Sequence, residues 1–219
     1  MPTLTETSSD ELWHRQCIRS PIPEIEEAAI LLSAATEAHL AGDLAGAEQL
    51  IRRADMQAIG DWVAPLLGND TQFPDRAGYV RYRQIPGAPP VLPKADRLKE
   101  RMPTREAQAA LISLYGLRCV FCEIPLIRPQ VRSAFVKAYP HAVPWGKVSH
   151  AAFLAMWLQF DHVVPHSRGG GNSPSNIVVT CSGCNYGRMS YTLEEIGVTD
   201  PRLREVRKTE WDGLERFRA

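Results

Sequence analysis

Apolar residues recur at three- and four-residue steps through the front of the chain. Between Glu24 and Leu40 the stripe is Ile25, Ala28, Ala29, Leu32 and Ala35, with Thr36 and His39 on the same side, and the spacing predicts a helix. Pro23 stands where that helix begins, because its fixed φ suits a first turn. Gly42 interrupts the pattern. It resumes from Ala45 to Ile59 through Leu50, Ile51, Ala54 and Ala58, so the front reads as an αα-hairpin. The hairpin loosely resembles a tetratricopeptide unit, but no repeat at that period follows.

From Leu67 to Pro103 the periodicity stops. Pro74, Pro86, Pro89, Pro90, Pro93 and Pro103 exclude helix interiors. Within this stretch Gly78 to Ile85 alternates well enough to predict a short strand, on which Tyr79, Arg81, Tyr82 and Arg83 mix aromatic and basic groups. Thr104 then caps a predicted helix from Arg105 to Tyr115, with Gly116 past its end. Short helices are predicted near Pro129–Ala138 and Ser149–Trp157. A strand follows from Leu158 to Val164. Its last residues should be irregular, since Pro165 and Gly169 to Gly171 lie just beyond. Thr192 and Glu195 have capping-box spacing for a further short helix. The amphipathic tail beyond Pro201 is predicted helical through Trp211 and Phe217.

Length and composition describe one or two globular domains: 219 residues, 44% hydrophobic. No apolar run reaches membrane-spanning length. Met1 to Asp10 lacks the basic start and apolar stretch of a secretory leader, so a cytoplasmic chain with reduced thiols is expected. The formal net charge of zero hides an asymmetry. Residues 1–75 carry 4 basic and 13 acidic side chains, residues 76–137 carry 12 and 4, and residues 138–219 carry 9 and 8. A basic rear suits a polyanion, because phosphate binding is driven by counterion release. The acidic front is read first as a solvated helical face. Otherwise it would be a dock for a protein partner or for the basic half.

Two Cys-x2-Cys pairs, Cys119/Cys122 and Cys181/Cys184, read as one structural Zn²⁺ site. Gly183 is expected to ease the second turn by adopting positive φ. Cys17 is left over, a small half-buried thiol near a helix. Between and beside the pairs stand Asp161, His162, Asn176 and Asn185. Carboxylate and amide oxygens suit Mg²⁺ or Mn²⁺ rather than zinc. A neutral imidazole can take a proton from water at cellular pH. The hydrolysis of a phosphodiester needs both.

The run from Asp161-His162-Val-Val-Pro165-His166-Ser-Arg168 to Asn172, then Asn176, then Cys181-x-x-Cys184-Asn185, resembles the HNH endonuclease family. That family has a ββα-metal fold with zinc knuckles, and His162, Asn176 and Asn185 stand at its three letters. The likeness covers roughly the last half of the chain. It implies an α+β class: a C-terminal ββα-metal nuclease core with structural zinc, preceded by a helical N-terminal region. The corresponding divisions are an acidic helical region at 1–75, a Pro-rich connector with a short strand at 76–103, and a nuclease domain at 104–219 with an insert at 123–157. By the same resemblance His162 is the general base, and Asp161 and Asn185 hold the catalytic divalent ion. Asn176 supplies hydrogen bonds that fix the loop and orient His162. Arg168, Arg188 and His166 are candidate contacts to the nucleic-acid backbone, and Arg128, Arg132, Lys137 and Lys147 of the insert could line a DNA path.

The expected activity is metal-dependent cleavage of DNA, in phage defence, restriction or a mobile element. One such site cuts one strand, so a double-strand break would require a homodimer or sequential nicks. The alternative is a zinc-ribbon module that binds nucleic acid without cutting. Such a binder shares the four cysteines but has no use for Asp161, His162 and Asn185.

Overall fold

Pro23 starts α1 (Pro23–Leu40), which buries Ile25, Ala28, Ala29, Leu32, Ala35 and Thr36, the predicted stripe apart from His39. The computed structural model describes residues 14–68, 71–207 and 209–217; the polar start Met1 to Asp10 lies outside them. After a turn at Gly42, α2 (Leu44–Ala54) begins under an Asp43 cap whose carboxylate accepts from Gly46 N at 2.9 Å. The expected second helix is cut in two at Asp55, which leaves helical backbone at ψ 70°. Its carboxylate instead accepts from Ala151 N at 2.6 Å. A tertiary bond wins over continued periodicity, and α3 (Gln57–Leu67) starts afresh.

The strand predicted at Gly78 to Ile85 does not form. Gly78 closes a 3-10 turn, Pro74–Gly78, and the rest is irregular. Among the described residues no neighbouring strand is there to pair with. The segment is held by single ties, such as Arg83 N to Glu195 O at 2.8 Å and Tyr82 stacked on Tyr191 at 4.5 Å. The chain regains order at α4 (Arg105–Tyr115), capped by Thr104 as expected, with Gly116 at φ 73° past its end. Then come α5 (Pro129–Ala138) and a single-turn α6 (Ala151–Ala155), shorter than predicted.

The centre is a ββα unit. β1 (Leu158–His162) pairs antiparallel with β2 (Ile177–Cys181), with Asp161 opposite Val178 and His162 opposite Ile177. Then α7 (Ser182–Arg188) follows without a break. Behind it the N-terminal helices are part of the same buried cluster, α3 packing on both α6 and α7. Gly183 matters here for a different reason from the one expected. It is helical and not at positive φ; a Cβ on it would come within 2.9 Å of Leu66 Cδ1 and 3.4 Å of the Trp62 ring. Its missing side chain lets α3 approach.

Two other expectations fail locally. Thr192 and Glu195 make both capping-box bonds, at 2.7 and 3.2 Å, but close a turn rather than a helix. The tail after Pro201–Leu203 is a string of turns, because Gly213 and Leu214 both take positive φ. Its apolar residues anchor one by one: Phe217 stacks on Phe135 at 3.7 Å, and Trp211 Nε1 donates to Leu126 O at 2.9 Å. The ion pairs Glu26–Arg118 and Glu37–Arg216 tie the acidic front to the basic rear. Exposed pairs of this kind contribute little to stability.

Candidate active site and zinc centre

Cys119 and Cys122 lie on a tight turn closed by Cys119 N to Ile124 O at 3.0 Å. Val120 N bonds Val179 O at 3.1 Å, which fixes this turn against β2. Cys181 ends β2 and caps α7, accepting from Cys184 N at 3.3 Å. The four sulfurs lie within 4.8 Å of one another, all buried and none in a disulfide. A tetrahedron with Zn–S near 2.3 Å has sulfurs about 3.8 Å apart, and Cys122 and Cys181 are already at 3.6 Å. Burial pushes the Cys119 thiol up, but hydrogen bonds from the other three hold it well below the ordinary thiol value. The bonds that favour it drive Cys122 and Cys184 well above. A divalent cation would let all four crowded thiols ionise together. The donor set and spacing fit zinc. Cys17 is outside the cluster, and burial pushes its thiol up to about 11, which leaves it unreactive at neutral pH.

Beside β1, Asp161 and His162 border one cleft of about 600 Å³ together with Asn185, Tyr186 and His166. β1 ends at His162, so the imidazole is not bound by strand alternation and both residues reach the cleft although they are adjacent. The predicted strand ran two residues further; the irregularity begins at Val163, whose N–H goes to Asn176 O at 2.8 Å. Asp161, only 6% exposed, is held by Arg188: Nε donates to Oδ2 at 3.0 Å and Nη2 to Oδ1. Burial pushes the Asp161 carboxyl above the usual range, and Arg188 offsets this only in part.

His162 Nε2 lies 2.9 Å from Asn172 Oδ1. The Asn172 amide cannot be turned round, because its Nδ2 donates to Glu100 O at 2.9 Å and Met102 O at 3.1 Å. Oδ1 can only accept, so Nε2 carries the hydrogen and Nδ1 holds the free lone pair. Burial lowers the His162 pKa, although the Asn172 bond and the Asp161 charge act against this. The ring is therefore neutral at neutral pH.

Residues 154–196 match the family of HNH endonucleases. This segment is an HNH endonuclease domain. No curated protein and no solved structure matches the chain. The matched residues run from the end of α6 through β1, β2 and α7, so the HNH domain contains the second zinc knuckle but takes its first from outside the match. Such a domain suggests nuclease activity on nucleic acid.

The other expected residues of the HNH domain fare differently. Asn176 fixes the loop: its Oδ1 accepts from Val164 N at 2.8 Å, and its Nδ2 donates to Val164 O and Gly171 O. It does not touch the imidazole. The residue that orients the ring is Asn172, which sequence reasoning quoted in the motif run and gave no role. The one available signal was a polar side chain just past the glycine run. Gly170 makes this fold-back tight, since a Cβ there would sit 1.8 Å from Val164 O. Asn185 bonds Gln159 Oε1 through Nδ2 at 3.4 Å, and its Oδ1 has no partner among the described residues.

Arg188 and Arg168 are corrected as backbone contacts. Arg188 is 1% exposed, its fork consumed by Asp161, Val163 O, His162 O and Tyr191 O. Arg168 is spent on Ser190 O, Pro89 O and Glu195. Arg188 is buried and Arg168 half-buried, and both hold loops together. Arg132 likewise lies between Trp145 and Trp157, 3.7 and 4.9 Å from their ring centres, rather than along a DNA path. His166 borders the cleft, but its Nε2 donates to Leu98 O at 2.9 Å, so it braces the segment before α4. Among the described residues no helix is long and apolar enough to cross a membrane.

Proposed function

We propose that the chain is a metal-dependent endonuclease that hydrolyses DNA phosphodiester bonds in the cleft beside β1. The observation that carries the reading is the imidazole of His162, neutral, with Nε2 tied to Asn172 and Nδ1 left as the base. His162 takes the proton from the attacking water at Nδ1. Asn172 keeps the ring in the required tautomer, and Asn176 holds the loop on which both stand. Asp161 and Asn185 hold Mg²⁺ or Mn²⁺. Their chemistry fits: each Asp161 oxygen keeps a lone pair beyond those used by Arg188, and Asn185 offers an unpartnered carbonyl oxygen on the same cleft. Such an ion, when bound, supplies charge to stabilise the pentavalent phosphorus and the leaving oxygen. The four thiolates hold structural Zn²⁺, which keeps β2 and α7 at the angle the cleft needs.

The test is plasmid nicking with Mg²⁺ or Mn²⁺. His162→Ala is expected to lose at least about a hundredfold in rate, the scale of general-base catalysis, while still binding DNA. Equal nicking by both proteins would remove His162 from the mechanism. Binding without nicking by the wild type under every metal would favour the zinc-ribbon alternative.

A further inference from the structure

Residues 94–105 lie outside the matched HNH segment, yet they wall its cleft. Lys94, Arg97, Lys99 and Arg101 border the same cavity as Asp161 and His162. Asp96 and Glu100, the acidic residues of the same stretch, do not. The strap is not a loosely lying loop. Its backbone is pinned at Leu98, Glu100 and Met102 by His166 and Asn172, and Asn172 is the residue that orients the candidate base.

Of the four cations bordering the cleft, only Arg97 is engaged among the described residues, its Nε donating to Leu92 O at 2.9 Å. Lys94, Lys99 and Arg101 are exposed and have no hydrogen-bond or ion-pair partner among the described residues. This contrasts with Arg188, whose five donors are all spent within the fold, and with Arg168, which bonds Ser190 O, Pro89 O and Glu195. Like charges crowded on a short, fixed segment repel one another. They are stabilised there by an anion that spans several of them. A second cleft, of about 480 Å³, shares Met102, Gln159 and Phe160 with the first and carries Arg105 on its wall, again exposed and unpartnered among the described residues. The two clefts adjoin along β1 as one track, with Gln159 and Phe160 bordering both.

We propose that the strap at 94–105 holds the substrate strand. Lys94, Lys99, Arg101 and Arg105 take the phosphates flanking the scissile one, and the strand follows the track along β1. The place of the scissile phosphate rests on the nuclease reading above, but the binding itself does not.

The experiment measures anisotropy of fluorescein-labelled DNA, as single strand and as duplex, against the full zinc-loaded chain at a series of salt concentrations. Lys99→Ala/Arg101→Ala is expected to weaken binding about tenfold or more at low salt. It should also flatten the plot of log affinity against log salt by about 0.7 per lost contact for the single strand and about 0.9 for the duplex. Arg53→Ala, an exposed charge on α2 away from the clefts, should change neither quantity. Both strap side chains are exposed, so an unchanged thermal melt would exclude misfolding. A double variant with wild-type affinity and salt slope would overturn the proposal, as would a wild type with no affinity for DNA. The two readings fail separately: cleavage by the wild type with unaltered binding in the double variant sinks the strap alone, whereas weakened binding in a chain that never cuts sinks the nuclease reading alone.

Discussion

Replacing Arg188 by methionine tests how the site is held. The side chain is 2% exposed and its partner Asp161 is 7% exposed, so neither charge has water to fall back on. Methionine fills much of the same volume but supplies no donor. It would leave a buried carboxylate unpaired and orphan the carbonyls of Val163 and Tyr191. Breaking a buried pair from one side costs about 3–5 kcal/mol. The loss should depend on pH. Burial already raises the Asp161 pKa in the folded protein, so the fold favours its protonated form. Stability from such a group is full below the unfolded carboxylate's range and is lost as pH rises through the folded value. Without Arg188 that value rises further. The gap between variant and wild type should therefore be widest near pH 7.5 and narrow toward about pH 5, where the acid needs no counter-charge. Urea unfolding of both proteins, saturated with zinc, at several pH values gives the comparison. Adding Asp161→Leu to Arg188→Met should recover much of the loss, since an apolar pair replaces a buried ionic one at little cost. A difference below about 1 kcal/mol at every pH, the size of a surface pair, would refute the account of a desolvated ion pair.

The remaining predictions concern the imidazole, the zinc and the helix contact. Asn172→Ala should lower the cleavage rate about 10- to 100-fold with little change in DNA affinity, the usual effect of losing a partner that orients a functional side chain; unchanged rates would mean the tautomer is fixed elsewhere. In the wild type the acid limb of kcat/KM should lie below the ordinary imidazole value of about 6.5, because burial lowers the His162 pKa and the base form disappears as pH falls through it. The Asn172 bond acts to raise that pKa, so Asn172→Ala should move the limb further down. Removal of zinc by a strong chelator should unfold the ββα unit, read by circular dichroism with metal loss verified by mass spectrometry; an unchanged spectrum would count against a structural ion. Gly183→Ala should destabilise by about 1–3 kcal/mol through overpacking against Leu66, measured by thermal unfolding.

What was legible in the sequence was whatever had a local cause. The α1 stripe, the Thr104 cap and both knuckles follow from periodicity, capping chemistry and ligand spacing, and they stand where expected; the ββα order was implied only by the family resemblance. What was not legible depended on partners remote in sequence. Asp55 breaks a helix because Ala151 needs an acceptor, and no window around residue 55 contains that information. Arg168 and Arg188 look like surface cations beside a glycine loop until Glu195 and Asp161 are brought to them. Asn172 acquires its role from Glu100 and Met102, some seventy positions earlier. The alternation at Gly78 to Ile85 is genuine, but a strand also needs a neighbour.

The seat of α3 on α7 has a bearing on how the chain is made. Trp62 and Leu66 lie against Gly183 and Gly187, roughly 120 residues later in synthesis. At a translation rate of about 5–20 residues per second, the greasy flank of α3 stays uncovered for about 6–24 seconds before its cover leaves the ribosome. Throughout that interval the nascent front is a client for chaperones, and slow codons between α3 and α7 would lengthen its exposure.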